Sequence, residues 1–408
     1  MSAPAVPFTA RTAGFAYIFI TILLNMFAIG IVIPVLPGLI VSFLQGNTAR
    51  GAEIYGLFGT VWALMQFVFS PIQGSLSDYL GRRPVILASN IGLGLDYILM
   101  ALAPNLLWLF IGRTISGITT ANMSTAFAYI ADITEPEKRA KRFGLLGAAF
   151  GIGFVLGPAI GGILGGIDAR LPFWAAAGFC LTNAAYGFFV LPESLPPERR
   201  APFLWKRANP MSSLTLLRSH SELLGLASAN FLSNLAHVVL PSVTVLYMGY
   251  RYGWSETTIG LVLAMVGVFS MIVQAGLVGP IVARIGERRA LLIGLVFGSI
   301  GFAVYGIANS GMLFLAGIPL MAIWGIANPS AQGLMSRRVT ETEQGQLQGA
   351  NASVQGVANL IGPVIFTQSF AYSIDPARGV HIPGVPFLIA AVALACAAVI
   401  AWRATQAR

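Results

Sequence analysis

Two charged side chains stand inside otherwise apolar runs: Asp96, twelve residues after Pro84, and Arg113, about seven residues into the next run. At 1.5 Å per residue Asp96 lies about 18 Å from one end of its run and Arg113 about 11 Å from the opposite side. If both runs are helices, antiparallel and adjacent, the two groups sit at similar depth. A charged side chain at such a depth costs about 2.5–3.5 kcal/mol on insertion scales, so each needs a partner or a wet cavity. Two chemistries fit: a structural ion pair, or a carboxyl that binds a proton in competition with the guanidinium. A second charged group is the short turn Gly74-Ser75-Leu76-Ser77-Asp78-Tyr79-Leu80-Gly81-Arg82-Arg83-Pro84. Its glycines permit a tight turn, Asp78 sits at a helix end, and Arg82 and Arg83 are placed to meet carboxylates, Asp132 being the expected partner.

Catalytic and metal chemistry find no support. No HExxH, GxSxG, CxxC or P-loop pattern occurs, and His220, His237 and His381 are scattered. No cofactor and no metal are expected. Cys180 and Cys396 both fall within apolar runs, where packing is the expected role.

The elements that carry these groups follow from composition. Of 408 residues 56% are hydrophobic and only 10% charged, with a mean hydropathy of +0.78, whereas a soluble chain carries about 25% charge. This composition belongs in a bilayer. Apolar windows long enough to cross about 30 Å of hydrocarbon can be placed at 13–36, 54–77, 84–104, 106–131, 140–165, 171–191, 222–248, 257–282, 289–309, 312–335, 346–371 and 384–402. The expected fold is therefore all-α, a polytopic membrane protein of twelve transmembrane helices. The first run continues through Ile31-Val32-Ile33-Pro34 without a small-residue cleavage site, so it reads as a retained helix.

Orientation follows from the basic residues. With the N-terminus cytoplasmic, nineteen arginines and lysines fall in inner segments and four, Arg50, Arg170, Arg251 and Arg378, in outer loops. The bias places both termini in the cytoplasm. It also accounts for the net charge of +9 as an attraction to anionic lipid, with no nucleic acid as partner.

The charged turn returns in degraded form at Gly279–Arg289, 205 residues after Gly74. The same offset carries Gly112 to Gly317, Gly144 to Gly349, and Gly157-Pro158 to Gly362-Pro363. Two pseudo-symmetric six-helix bundles are expected, 1–191 and 222–408, joined by a polar cytoplasmic linker at 192–221. The fifth run is rich in glycine, with GxxxG spacing at Gly147/Gly151 and Gly157/Gly161, and Pro158 between. Such spacing lets helices approach closely, and Pro158 adds a kink.

These stretches carry a resemblance. The chain resembles a major facilitator superfamily transporter over its whole length, and within it the tetracycline-resistance class of drug:proton antiporters. The carrying segments are IGIVIPVLP at 29–37, ALMQFVFSPIQGSLSDYLGRRPVILAS at 63–89, GLDYILMALA at 94–103, GRTISGITTA at 112–121 and FGLLGAAFGIGFVLGPAIGG at 143–162, with LQG and IGP near 347–363. The resemblance implies that the Gly74–Pro84 turn is a cytoplasmic gate, that Arg113 belongs to a motif linked to proton transfer, and that the fifth helix is antiporter-type, which favours export.

On the cavity-lining helices the polar and aromatic residues Asn25, Gln66, Asn230, Asn234, His237, Trp324, Asn328, Gln332, Asn351, Gln355 and Asn359 are the expected substrate contacts. As a group they favour a neutral or weakly charged, hydrogen-bonding, partly apolar small molecule. Departures from the tetracycline class point the same way: Asn25, Ser270 and Gly298 stand where that class has ionisable residues. They argue against tetracycline as cargo. The expectation is a proton-coupled exporter of small amphipathic compounds, monomeric, in the plasma membrane, with protons and the bilayer as its other partners. The alternatives are an uncoupled metabolite or sugar facilitator and a transport-inactive membrane receptor.

Overall fold

The computed structural model describes residues 8–120, 123–203, 221–340, 343–379 and 381–406. Of the expected linker, residues 204–220 lie outside these. The regular structure of the described residues is helical, without strands. That follows from the solvent, because hydrocarbon offers no partner to backbone N–H and C=O groups and a helix satisfies them within one segment. Among the described residues ten stretches are long and apolar enough to cross a membrane. One of them, Glu256–Ile307, has 52 residues, over twice the length a crossing needs, and it turns at Gly286, whose φ of 78° and ψ of 158° leave the helical region.

The chain divides into two compact units, residues 1–36 with 61–209, and residues 37–60 with 210–408. The first contains α1 (Phe8–Val32), the later part of α3 (Thr48–Leu80), α4 (Arg82–Leu102), α5 (Leu106–Thr119), α6 (Met123–Ile133), α7 (Pro136–Ile167) and α8 (Leu171–Val190). Within it α1 packs on α7 and α8, and α4 packs on α8 and α5. The second contains α2 (Leu36–Phe43) from Pro37 on, α9 (Ser221–Tyr252), α10 (Glu256–Ile272), a π-helical turn (Val273–Leu277), α11 (Val278–Ile307), α12 (Gly311–Trp324), α13 (Ala327–Ser336), α14 (Gln344–Ile374) and α15 (Val385–Ala404). There α9 packs on α14 and α15, and α11 packs on α15 and α12. The pairing pattern is the same in both.

The correspondence reaches single residues at the 205-residue offset. Gly81 and Gly286 both take positive φ with ψ near 159°, each at the break before a helix. Ala103 and Ala308 end their helices at nearly equal angles (φ −54°, ψ 120° and φ −60°, ψ 115°). Asn105 then caps α5 by accepting from the backbone of Leu107 and Trp108, and Ser310 caps α12 by accepting from that of Leu313. Different residues of the same capping class thus hold the same turn.

Close packing of α1 on α7 rests on Gly153, Gly157 and Gly161, spaced by four along one face of α7. A Cβ at Gly157 would stand 2.8 Å from the Cα of Gly30, and one at Gly161 would run into the Ile31 carbonyl. The other expected pair, Gly147 and Gly151, is corrected by the structure. Nothing lies within 4 Å of a Cβ placed at Gly147, which is exposed, and Gly151 on the same face is only half-buried. The Gly147/Gly151 spacing therefore does not join these helices. Gly153, two residues beyond Gly151 and so about 200° round the helix, starts the stripe that does, since a Cβ there would run into the Met26 side chain. Gly161→Val should lower stability by about 1–3 kcal/mol or more, seen as a lower thermal transition in detergent. Gly147→Ala should leave the transition unchanged.

Candidate functional site

Three groups of side chains concentrate the polar chemistry. The first lies where α3 turns into α4. Arg82, although charged, is only 9% exposed. Its Nη1 lies 2.6 Å from Asp78 Oδ1 and donates to Ser77 Oγ at 2.6 Å, while Nε donates to Asp132 Oδ2 at 3.2 Å. One guanidinium thus ties the end of α3 to the end of α6, with its fork satisfied on two sides. Arg83 does something else. One residue further round the helix, it points to the end of α8, donates to the Phe188 carbonyl at 2.6 Å and lies 5.8 Å over the Phe188 ring. The expectation that both arginines meet carboxylates through their side chains holds for Arg82 alone.

A residue not singled out from sequence completes the cluster. Glu193 accepts from the backbone N–H of Arg82 at 2.9 Å, of Arg83 at 3.2 Å and of Leu195 at 3.0 Å. These first two donors belong to the orphan N–H groups of the α4 N-terminus, where a carboxylate also meets the favourable end of the helix dipole. Gly81 leaves the space for it, because a Cβ there would run into the Glu193 carboxylate. Beside it Ser194 Oγ donates to Asp132 Oδ2 at 3.0 Å, and the backbone N–H of Ala201 donates to the Asp78 carbonyl at 3.1 Å. The segment after α8 is thereby strapped beneath the turn. Gly74 lies in the last turns of α3, and a Cβ there would find Ser124 Oγ no nearer than 3.9 Å, so its space is not tightly enforced.

The second group is Asp96 and Arg113. Asp96 is 1% exposed, and neither carboxylate oxygen has a hydrogen-bond partner. Gly112 makes room for it, since a Cβ there would stand 2.9 Å from Asp96 Oδ1. Arg113 forms no ion pair with Asp96 among the described residues. Its guanidinium carbon lies 5.3 Å over the Trp62 ring and its Nε has no hydrogen-bond partner. Of the two chemistries, the direct ion pair is not formed: the arginine is held by an aromatic face, and it remains the nearest cation to the carboxyl without touching it.

The third group lies wholly within the second unit. A cavity of about 230 Å³ is lined by Asn230, Ser233, Asn234, His237, Val266, Ser270, Gln274, Met321, Trp324, Asn328 and neighbouring apolar residues. Five expected contacts, Asn230, Asn234, His237, Trp324 and Asn328, meet here. The Trp324 indole N–H donates to Ser233 Oγ at 3.2 Å, and the His237 and Trp324 rings lie 5.6 Å apart. Among the described residues the lining carries no Lys, Arg, Asp or Glu. Gln274 enters from the π-helical turn, an irregularity that recurs at functional sites. The other expected contacts lie elsewhere. Gln332 accepts from Gln348 Nε2 at 3.4 Å; on α14 Asn351 is buried with both side-chain polar atoms unpaired, Gln355 is exposed and Asn359 half-buried. In the first unit Asn25 is buried on α1 with Oδ1 unpaired, and Gln66 is half-buried on α3.

The sequence profile of the Major Facilitator Superfamily matches residues 18–363 and, a second time, 226–407. The chain belongs to that superfamily. Among curated proteins the class C tetracycline resistance protein of Escherichia coli is 39% identical over 359 residues, covering 88% of this chain and 90% of that one. Two solved transporters share the fold: the human organic anion transporter MFSD10, with a TM-score of 0.70 at 23% identity over 96% of this chain and 99% of that one, and a bacterial homolog of the human lysosomal transporter Spinster, with 0.80 at 16% identity over 98% of each. The chain is thus a multi-pass membrane transporter. The second profile match falls within the second unit, in keeping with the internal repeat.

The repeat also bears on the charged cluster at the α3–α4 turn of this superfamily member. At the 205-residue offset Arg82 becomes Glu287 and Asp132 becomes Arg337, and these two also pair, Arg337 Nη2 to Glu287 Oε1 at 3.1 Å. The second copy of the turn keeps an ion pair with its signs exchanged, although Asp78 is replaced by Ala283. The copies differ in weight. The Arg337 side chain is 75% exposed against 11% for Arg82, so the second pair contributes roughly 0–1 kcal/mol. In the first cluster Glu193→Ala should release the strap. Losing a carboxylate cap costs about 1–2 kcal/mol, so limited trypsin digestion after Arg199 and Arg200 should run about 5–30 times faster, with unchanged membrane insertion.

Proposed function

We propose that the chain exports small, neutral, hydrogen-bonding amphipathic compounds in exchange for protons, by alternating access. The observation that carries this reading is Asp96: a carboxyl enclosed in a membrane-spanning helix, with no direct ion pair among the described residues, sits where charge is costly and where gain or loss of a proton changes the local balance most. Arg113, parked over Trp62, is the cation positioned to approach when the proton leaves. Gain and loss of one proton would then favour two different local packings, which is what coupling requires. The tetracycline resistance proteins to which the chain is similar support an export direction. An uncoupled facilitator would gain nothing from an unpaired buried carboxyl.

The remaining assignments belong to the same reading. Twelve spanning helices, the 1–191 and 222–408 halves and the 192–221 linker, both termini and the charged turns on the cytoplasmic face of the plasma membrane, and a monomeric state are supported by the repeat and by the arginine bias. Gly74, Asp78, Gly81, Arg82, Arg83 and Asp132 serve as the gate, and α7 as the antiporter-type helix through Gly153, Gly157 and Gly161. Asn25, Gln66, Gln332, Asn351, Gln355 and Asn359 are further cargo contacts beyond the cavity of the second unit.

Two experiments test it. In proteoliposomes, uptake of a neutral amphipathic probe, chloramphenicol, should rise with an imposed pH gradient. Asp96→Asn should abolish that dependence, and Asp78→Asn should abolish transport with insertion intact; retained gradient dependence in Asp96→Asn refutes the coupling role. For the cargo, quenching of Trp324 emission, isolated by comparison with Trp324→Phe, should saturate with chloramphenicol. It should not saturate with tetraphenylphosphonium or magnesium-chelated tetracycline, and saturable binding of the chelate would refute a neutral site.

A further inference from the structure

The core of the first unit holds a set of buried polar groups that the gate and the cargo site do not use. On α1, Gly14, Tyr17, Thr21 and Asn25 recur at three- and four-residue steps and share one face. The Tyr17 hydroxyl donates to the Asn183 carbonyl at 3.1 Å and accepts from Asn90 Nδ2 at 3.5 Å, and Thr21 Oγ1 donates to Asn183 Oδ1 at 3.2 Å. Tyr17, Thr21, Asn90 and Asn183 are each 0–1% exposed. Toward the gate the path continues through Tyr129, also fully buried, whose hydroxyl donates to the Pro192 carbonyl at 2.9 Å, next to Glu193. Toward the middle of the bundle, Cys180 precedes Asn183 by three residues on the same face of α8, and Asp96 follows Asn90 by six on α4, about 9 Å along the axis and about 120° round it, on the side where Cys180 stands near Asp96.

Two features set this apart from ordinary interhelical glue. Amide contacts between helices pair both ends, yet Asn90 Oδ1, Asn183 Nδ2 and both oxygens of Asp96 are enclosed without any partner. Glycine also makes the room that the hydroxyls themselves occupy: a Cβ at Gly187 would run into the Tyr17 hydroxyl, and one at Gly14 would stand 2.6 Å from that of Tyr129. Orphan donors and acceptors spaced along a buried line are the partners that bridging water requires.

We infer that Tyr17, Asn90, Asn183 and Tyr129 form a proton path between Asp96 and the end of the bundle that carries Glu193 and Asp132. This rests on the reading of Asp96 as the proton carrier. In an exporter the proton moves opposite to the cargo, so this path is its release route. Asp96 gives its proton to a file of waters that leads to the Asn90 and Asn183 amides. Each hydroxyl or water along the path takes one proton and passes one on, ending unchanged, and the last proton leaves beside the carboxylates at the gate. The amides orient the water and carry no proton themselves. Around Asp96 the other titratable groups are Arg113 on α5, Cys180 on α8 and Tyr97 on its own helix.

The test follows the carboxyl itself and needs no substrate. In infrared spectra of the full-length protein in liposomes, the protonated Asp96 band is the one lost in Asp96→Asn, and transfer to deuterated buffer reports its exchange. Tyr17→Phe, which removes one oxygen, and Asn183→Leu should each slow that exchange about tenfold or more, with the thermal transition retained. Unchanged exchange in both variants overturns the path, because the proton then reaches Asp96 by another route. Slowing that accompanies loss of the thermal transition also overturns it, since the groups are then only structural. If Asp96→Asn removes no band, Asp96 is not the proton carrier and the coupling reading itself fails; a band with unchanged exchange condemns the path alone.

Discussion

Hydrocarbon does not solvate charge, and the arrangement of this protein follows from where its charges can be afforded. Almost every Arg, Lys, Asp and Glu is at a helix end or in a connection, where headgroups and water are within reach. Arg82 is the instructive intermediate case. It is nearly enclosed, yet Asp78, Asp132 and Ser77 surround its guanidinium and Glu193 takes its backbone N–H. Removing any one of these partners leaves a buried donor or charge unsatisfied, which costs more than the contact gains when intact. A cluster with that property is tight in one arrangement and easily lost in another, the behaviour a switch needs.

The two halves show which parts of that cluster are topological and which are specific. A positive-φ glycine, a helix end at an alanine and a polar N-cap recur at one offset, because a chain that must reverse in so few residues has few backbone solutions. The ion pair recurs with exchanged signs, so the demand is for a pair and not for a particular order of charges. The strap of Glu193 and Ser194 is described only in the first half. With Arg337 largely in the open, the second pair is easily broken, and the two turns therefore resist separation unequally.

Much of this was legible in the sequence. Apolar length, arginine bias and the 205-residue repeat give the helices and their pairing, since each is a property of local composition that the bilayer reads directly. The Arg82–Asp132 contact was legible because both residues must end at the same face. Glu193 was not, because a carboxylate that caps a helix begun 110 residues earlier leaves no local pattern. The separation of Asp96 from Arg113 was equally hidden: depth along two helices is readable from residue counts, but the rotation that aims Arg113 at Trp62 is set by packing. The glycines of α7 show the same limit. Gly147/Gly151 and Gly157/Gly161 have identical spacing, and only the second pair faces α1, because spacing says that two residues share a face and not what that face meets. The α14 amides mislead for a related reason. Asn351, Gln355 and Asn359 keep a spacing of four, but successive steps of four drift around a 3.6-residue helix, and their burial differs accordingly.

The distribution of ionisable groups between the units carries the last step. The cavity of the second unit is bounded by amides, hydroxyls, a tryptophan and a histidine, with no formal charge in its wall among the described residues. The buried carboxyl and the arginine nearest to it belong to the first unit. A cargo that was itself charged would have to leave its hydration for a wall that cannot replace it, at a cost no hydrogen bond to an amide recovers. A neutral cargo avoids that cost and does not compete for the charge that the proton site requires. Separating the two tasks lets the cavity vary its cargo without disturbing Asp96. On the proposed reading it also explains why positions such as Asn25, Ser270 and Gly298 can be neutral in a chain that resembles exporters carrying charge there, for the buried carboxyl of this chain, Asp96, lies elsewhere.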